Sequence, residues 1–387
     1  MIRSLSRIAK SFRRYSAETP YLLQIPLKPP APPVKANYYP VRIGETFKNR
    51  YEARQILGYG RYSCVWLAHD ADLNREVALK IMVASLISDP SGPDELGILR
   101  TLSKFESDAS PHSDGGDRIC RLLDSFSHPA TMDVEHLCLV LEPTSLPLLA
   151  FHHAFGAPRP WKLVRQVTRD VLLALRFIHQ HGIIHTDIKF DNIMFCGSPV
   201  PAGASSIEID EANIFNGRYK LADFGSANRA THQWASVIQP DALRSPEVAL
   251  GAPWGTSTDI WNLSCIIFEL AQREQLFHPF WKRDGETNHS PIRTHLAQMR
   301  TLLGPFPASL ITQGHRSEGL FDENGELISR GPFDATLEEL ILRGRSGPSV
   351  EVTFFADFLR RGLALDPAER WSAEQLLEHE WLQGTQT

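Results

Sequence analysis

The tightest constraint in this sequence is a lysine placed where the chain should be apolar. Glu76-Val-Ala-Leu-Lys-Ile81 reads as a strand, and apart from Glu76 and Lys80 it consists of core residues. An ammonium group in such a strand is costly unless a carboxylate faces it. The next segment supplies one. From Asp94 to Leu102, the apolar residues Leu96, Leu99 and Leu102 recur at helical spacing, and Glu95 stands at the head of that helix. A helix must therefore dock on a sheet at a single point of opposite charge.

Upstream, Tyr51-Glu-Ala-Arg-Gln-Ile-Leu57 and Tyr62-Ser-Cys-Val-Trp-Leu-Ala68 form a strand pair around Gly58-Tyr-Gly60-Arg-Tyr-Ser63-Cys-Val65. Glycines in such a turn let backbone amides approach phosphate oxygens. Ser63 stands where a third glycine could be, and no Lys-Ser/Thr opens a following helix, so a Walker A loop is excluded. Two more strands are expected, at Cys120 to Phe126 and His136 to Leu141. The chain then turns helical from Trp161 to His181, with Val167, Val171, Ala174, Leu175 and Ile178 on one stripe and Gly182 as the stop signal.

Directly after that helix comes Ile184-His-Thr-Asp-Ile-Lys-Phe-Asp-Asn-Ile-Met194. Phosphoryl transfer needs a carboxylate beside the attacking hydroxyl, a cation for the moving group and a further oxygen ligand for magnesium. Asp187, Lys189 and Asn192 offer these in order, and Lys220-Leu-Ala-Asp-Phe-Gly225 adds Asp223 at the end of an apolar strand. Singly, each is as well explained as a turn glycine, a surface lysine or a loop aspartate. Coincidence would have to supply Gly58, Lys80, Glu95, Asp187, Asn192 and Asp223 in one order and in matching contexts.

At 387 residues and 42% hydrophobic, the chain can bury a large core, which excludes collagen-like, disordered and disulfide-scaffold classes. A net charge of −5 gives no general attraction to nucleic acid or anionic membrane, so neither is expected as a direct partner. Cys64, Cys120, Cys138, Cys196 and Cys265 lack CxxC spacing and read as free thiols of a reducing compartment. No apolar run is long enough to span a bilayer. Residues 1–40 differ in kind. Arg3, Arg7, Lys10, Arg13 and Arg14 precede the first acid, Glu18, with Ile2, Leu5, Ile8 and Phe12 at helical spacing. That composition fits either an organellar leader or a solvated basic tail. Pro20 to Pro40 reads as an extended polyproline-like linker, with order beginning near Tyr38.

From about Tyr51 to Trp381 the chain resembles the eukaryotic protein kinases. Within them it is most similar to the serine/arginine-protein kinases, through Tyr38-Tyr-Pro-Val-Arg-Ile-Gly44, Ser63-Cys-Val-Trp-Leu67 and Ile184-His-Thr-Asp-Ile-Lys189. Further matches are Arg244-Ser-Pro-Glu-Val248, Thr258-Asp-Ile-Trp261, Leu320-Phe-Asp-Glu-Asn-Gly-Glu-Leu327 and Leu365-Asp-Pro-Ala-Glu-Arg370. The resemblance implies an α+β, bilobal kinase fold: a small antiparallel N-lobe sheet with one helix over 41–143, and a larger, mainly helical C-lobe over 144–382, with a tail at 383–387. It implies ATP and Mg2+ as cofactors and protein substrates, Arg/Ser-rich ones included, for a serine/threonine kinase acting as a monomer in cytoplasm or nucleus, with mitochondria the alternative if residues 1–16 are a leader.

Position by position, Asp187 becomes the catalytic base and Lys189 the phosphate-contacting cation, with Asn192 and Asp223 as metal ligands. Leu57, Gly58, Gly60, Ser63, Val65, Ala78, Lys80, Glu95 and Glu142 become the nucleotide site, adenine lying near Glu142 and Pro143 with Leu141 behind it. Glu247 with Arg370, and Asp259, become structural braces. Thr186 stands where most kinases have arginine, which removes the cation that docks a loop phosphate, so activity is expected without phosphorylation of Ser226, Thr231 or Ser236.

Several positions depart from the family pattern. Phe190 replaces a proline, Pro240 and Asp241 alter the substrate loop, and the segment between Asn192 and Asp223 reads as a surface insertion. Ahead of Thr294 to Leu303, where the family places docking acids, stands Asn288-His-Ser-Pro291, with Asp284 and Glu286 further back. Two rivals are a pseudokinase scaffold, which usually loses the equivalents of Lys80, Asp187 or Asp223, and a small-molecule kinase, which would lack the Ser245-Pro-Glu247 and Asp259-Ile-Trp261 platform.

Overall fold

The computed structural model describes residues 22–26, 38–84, 92–106, 115–131, 134–151, 158–197, 200–204, 206–281, 290–329 and 335–384. The basic stretch 1–16, most of the proline-rich stretch, Pro199, Ser205, Asp284, Glu286 and Asn288 lie outside the described residues.

A short first strand, β1 (Leu22–Pro26), belongs to the C-terminal half of the fold. The strands that follow, β2 (Thr46–Phe47), β3 (Tyr51–Tyr59), β4 (Ser63–Asp70), β5 (Arg75–Met82), β6 (Leu122–Thr131) and β7 (Val134–Leu141), form a six-stranded antiparallel sheet in the order β2-β3-β4-β5-β7-β6. Strand periodicity sorts β5 into two faces. Val77, Leu79 and Ile81 pack with Tyr51, Trp66, Cys138 and Val140 in the lobe's own core. Ala78 and Lys80 therefore face the other way, and helix α1 (Glu95–Glu106) supplies the carboxylate there. Helix α1 inserts Ile98, Leu99 and Leu102 into the large cluster that fills the C-lobe, so it joins the two halves. Strand β6 runs further than its apolar pattern indicates and contains Pro129, which an edge strand tolerates.

In the C-lobe, β8 (Leu146–Pro147) and α2 (Leu148–Phe151) lead to α3 (Trp161–Gln180), the long helix read from the sequence. Gly182, at φ 68°, then takes the left-handed turn that only glycine adopts freely and ends the helical path. Strands β9 (Ile183–Ile184) and β10 (Ile193–Cys196) flank the loop carrying Asp187. After β11 (Ser206–Asp210) and α4 (Glu211–Asn216), β12 (Arg218–Leu221) pairs with β10 in the register Ile193↔Leu221. The Ala222 amide reaches the Asn192 carbonyl at 2.9 Å, which sets Asn192 beside Asp223. Strand β13 (Asn228–Arg229) pairs with β9.

The remainder is helical: α5 (Pro246–Leu250), α6 (Ser257–Gln272), α7 (Pro291–Leu303), α8 (Ala308–Gln313), α9 (Leu337–Leu342), α10 (Val350–Gly362), α11 (Ala373–Leu377) and α12 (Glu380–Gln383). Helix α6 is buried at every position except Ser257 and Glu269, as befits the axis of a lobe. All five cysteines are free, and burial pushes the Cys138 thiol up to about 12 and that of Cys196 up to about 11.

One expectation is corrected. The linker read over Pro20 to Pro40 contains β1, which pairs antiparallel with β11 in the register Ile25↔Ile207 and buries Ile25 to 2% exposure. Local proline content hides this because the partner lies in the insertion between Asn192 and Asp223, far along the chain. That insertion also touches the N-lobe, where the Gly203 amide donates to Gln55 Oε1 at 2.5 Å. Phe190, the departure from proline, is buried at 5% exposure and belongs to the C-lobe cluster.

Two buried features make stability predictions. Arg370 forms a two-pronged pair with Glu247, at 2.7 and 3.0 Å, with both side chains at 0% exposure, and also donates to the carbonyls of Ser257 and Ala364. Glu247→Ala leaves that guanidinium uncompensated and should cost roughly 3–5 kcal/mol in denaturant unfolding. A loss below about 1 kcal/mol would contradict the brace. His295 is 2% exposed, and its Nε2 donates to the Arg244 carbonyl at 2.8 Å. Burial lowers its pKa to about 4; the Arg244 cation acts in the same direction, while the carbonyl bond and the Asp241 carboxylate oppose it. Below about pH 6.5 the unfolded chain takes up a proton that the fold refuses, so this stabilisation is lost as pH falls from about 6.5 towards 4. Unfolding of His295→Gln followed over that window should show a shallower acid slope than the unsubstituted chain; equal slopes would contradict the assignment.

Candidate active site

The point of charge predicted from β5 exists. Lys80 Nζ lies 2.7 Å from Glu95 and 2.7 Å from Asp223 Oδ1, with Lys80 and Glu95 side chains only 5% and 4% exposed. Burial alone would strip the ammonium of its proton, but the two carboxylates outweigh it and hold Lys80 charged. Burial likewise opposes ionisation of Asp223, and Lys80 overcomes it, drawing that carboxyl down to about 2. At Gly225 this cluster leaves little room for a side chain. A Cβ there would sit 3.0 Å from Asp223 Oδ1, 3.4 Å from Glu95 Oε2 and 3.6 Å from Lys80 Nζ. Glu95 and Lys80 come from the N-lobe and Asp223 from the C-lobe, so the cluster spans the cleft.

The loop carrying Asp187 is held in an unusual backbone conformation. Thr186, a β-branched residue, has φ 67°, and Asp223 has φ 63°. Buried Asp259 of α6 pins the loop, its two oxygens accepting from the His185 and Thr186 amides at 2.8 Å and from His179 Nε2 at 2.9 Å. Lys189 Nζ lies 2.6 Å from Asp187 Oδ2. Asn192 Nδ2 donates to the Asp187 carbonyl at 2.8 Å and to its Oδ2 at 3.2 Å. Asp187 Oδ1 therefore keeps its acceptor capacity for a hydroxyl proton, and Asn192 Oδ1 for a cation.

On the opposite side of the cleft, Gly58 pairs in register with Val65, beside a strand irregularity between Ile56 and Gly58. Among the described residues, a Cβ at Gly58 or Gly60 would meet no atom within 4 Å. None of these residues fills the space the two glycines leave, which suits a cradle for a phosphate chain. Leu57 is 41% exposed, Ala78 lies across from Leu141 on the neighbouring strand, and Ser63 and Ala78 are buried. Glu142 differs from expectation. Its carboxylate is taken by Lys220 at 2.5 Å and Arg121 at 3.2 Å and its amide donates to the Arg121 carbonyl at 2.9 Å, leaving its main-chain carbonyl for an adenine contact. Against the opposing effect of burial, these two cations hold the Glu142 carboxyl below its ordinary range.

Several positioning contacts were not foreseen. Thr186 Oγ1 donates to the Ser226 carbonyl at 2.7 Å, and His185 Nε2 lies 3.0 Å from the Ala222 carbonyl. Tyr38 Oη donates to the Gly60 carbonyl at 2.5 Å, placing the lead-in segment against the glycine loop. The segment after Asp223 is fastened at both ends by uncharged groups: Asn228 Oδ1 accepts from the Trp234 amide, and Gln239 bridges Ser245 and the Thr258 carbonyl. Arg229 adds contacts to Asp94 and Thr101. Lys220 carried the same signal as Lys80, a lysine in an apolar strand, and could have been found by it.

Asn192 and Asp223 offer hard oxygen donors, and no larger cluster of His, Cys, Asp and Glu that could hold a metal occurs among the described residues. Two protein oxygens suit Mg2+, which retains waters and phosphate oxygens in the rest of its shell.

The protein kinase domain family matches residues 51–382. A serine/threonine-protein kinase SRPK of Physarum polycephalum is 32% identical, with 90% of this chain and 89% of that protein covered. Protein kinase dsk1 of Schizosaccharomyces pombe is 27% identical over 89% of this chain and 83% of its own length. A serine/threonine protein kinase of Aspergillus fumigatus is 31% identical over 89% and 87%. With the family match running across both lobes and the ion cluster spanning the cleft between them, the chain belongs to the protein kinase family.

Proposed function

We propose that the chain is a serine/threonine kinase that transfers the γ-phosphoryl group of ATP, with Mg2+, to hydroxyl groups of protein substrates rich in arginine and serine. The observation that carries the catalytic part is the joining of Lys80 to Glu95 and Asp223 at 2.7 Å while Asp187, Lys189 and Asn192 touch one another below. The substrate class rests on similarity to the SRPK of Physarum and to dsk1. A pseudokinase scaffold has no need of this complete set.

In this reading Asp187 accepts the proton of the substrate hydroxyl, and Lys189, already paired to it, stabilises charge on the moving phosphoryl group. Lys80 holds the α- and β-phosphates, kept charged and oriented by Glu95. Asn192 and Asp223 would hold Mg2+, which when bound neutralises the charge that develops on the phosphate oxygens. The Ser245-Pro-Glu247 platform, locked by Arg370, favours a peptide over a small molecule as acceptor.

Transfer from labelled ATP to an arginine-serine repeat peptide should fall at least about a hundredfold in Asp187→Asn, vanish with excess chelator and return with Mg2+. In Lys80→Met the KM for ATP should rise together with a loss of kcat. Wild-type transfer equal to that of Asp187→Asn would sink the enzymatic reading, and labelling of a generic basic protein alone would sink the substrate class.

Thr186 makes a second test. Its hydroxyl ties the start of the loop directly to Ser226, and the position has no guanidinium to wait for a phosphate. Replacing Ser226, Thr231 and Ser236 together by alanine should leave kcat within about twofold. A tenfold loss, restored by acidic substitutions, would show that loop phosphorylation is needed.

A further inference from the structure

The lead-in Tyr38-Tyr-Pro-Val-Arg-Ile-Gly44 takes no part in the chemistry above, yet its first residue rests on the loop from which the nucleotide is expected to hang. The segment is a strap on the outer face of the N-lobe sheet. Tyr38, Tyr39 and Val41 pack against the lobe's own core, on the side occupied by Trp66 and Val77, whereas Lys80 faces the cleft. Two bonds fix the strap: Tyr39 Oη donates to Glu45 Oε1 at 2.6 Å, and the Gly44 amide donates to the Ala53 carbonyl at 2.8 Å. The Tyr38 hydroxyl then reaches the tip of the glycine loop, 2.5 Å from the Gly60 carbonyl and 3.1 Å from the Arg61 carbonyl. A phenol has one proton to donate, so the two carbonyls share it.

This shared bond sets which way the loop peptides face. A trans peptide is planar, so its N–H and C=O point in opposite directions. With the Gly60 and Arg61 carbonyls turned to the outer face, the amides of Arg61 and Tyr62 point the other way, to the side of the sheet from which Lys80 projects. The neighbouring groups are already engaged: the Tyr62 carbonyl accepts from the Val83 amide at 2.9 Å, and the Gly60 amide donates to the Ser63 carbonyl at 2.9 Å. The amides of Arg61 and Tyr62 have no acceptor among the described residues. Successive amides without an acceptor form an anion-binding arrangement, and the flipped peptides would instead turn two carbonyl oxygens towards a polyphosphate.

We propose that Tyr38 is a positioning residue for the nucleotide: its hydroxyl, acting from outside the cleft, holds the peptides of residues 60–62 with their amides towards the phosphate chain. The proposal rests on the ATP reading above and adds what orients the loop. Tyr38 touches no reacting atom, and its effect passes through two main-chain carbonyls. That effect therefore depends on phosphate groups and not on the adenine, which lies near the other end of the pocket.

The test is calorimetric binding of ATP with Mg2+, and of adenosine, to the full chain. Tyr38→Phe keeps the ring and removes only the hydroxyl. Loss of one neutral hydrogen bond should weaken ATP binding about three- to tenfold and leave adenosine binding within about twofold. The KM for ATP should rise by the same factor while the KM for the peptide substrate stays unchanged. Tyr39→Phe removes a hydroxyl from the same strap that bonds to Glu45 and not to the loop, and should leave both affinities as they are. Equal weakening of ATP and adenosine in Tyr38→Phe, or no weakening of either, would overturn the proposal. An effect of the same size in Tyr39→Phe would assign it to the strap as a whole and likewise overturn it. A wild-type chain that binds neither ligand would overturn the ATP reading itself.

Discussion

The fold is organised around one buried cation. Lys80 sits in a central strand, and its charge is tolerable only because Glu95 and Asp223 approach from two directions at 2.7 Å. Each approach fixes an element. Glu95 can reach Lys80 only if α1 lies across the sheet, which in turn brings Ile98, Leu99 and Leu102 onto the C-lobe cluster. Asp223 can reach it only if β12 ends at the cleft and the backbone turns into the left-handed region, with Gly225 leaving room for the contact. A charge arrangement that would be a liability in an ordinary core thus sets the relative position of two lobes.

The same economy governs the loop carrying Asp187. Thr186 holds a backbone conformation that a β-branched residue rarely adopts, and it stays there because Asp259 takes both neighbouring amides and Ser226 takes its hydroxyl. Asp259 is itself presented by α6, a long helix buried at all but two positions. Rigid packing beneath the loop therefore supplies the precision above it. In this chain the link from loop to activation segment is a direct, neutral hydrogen bond instead of a charge that awaits a phosphate.

Much of this was legible from local pattern. Lys80 and Glu95 are fifteen positions apart on adjacent elements, and the misfit of a lysine in an apolar strand announces its partner. Asp187, Lys189 and Asn192 share one loop, so their proximity follows from chain connectivity. What stayed hidden depends on distant segments. The pairing of β1 with β11 joins residues that no local signal relates, and the prolines around Leu22–Pro26 point away from a strand. The Glu142–Lys220 pair, which engages the Glu142 carboxylate, similarly joins the residue after β7 to a strand far along the chain.

The most direct measurement of the central claim is a double-mutant cycle on Lys80→Met and Glu95→Gln, read as kcat/KM for ATP. If Glu95 acts by holding Lys80, the double variant should be no worse than Lys80→Met alone, with a coupling of about 1–3 kcal/mol. Additive losses would show that the two residues act independently and would contradict the account.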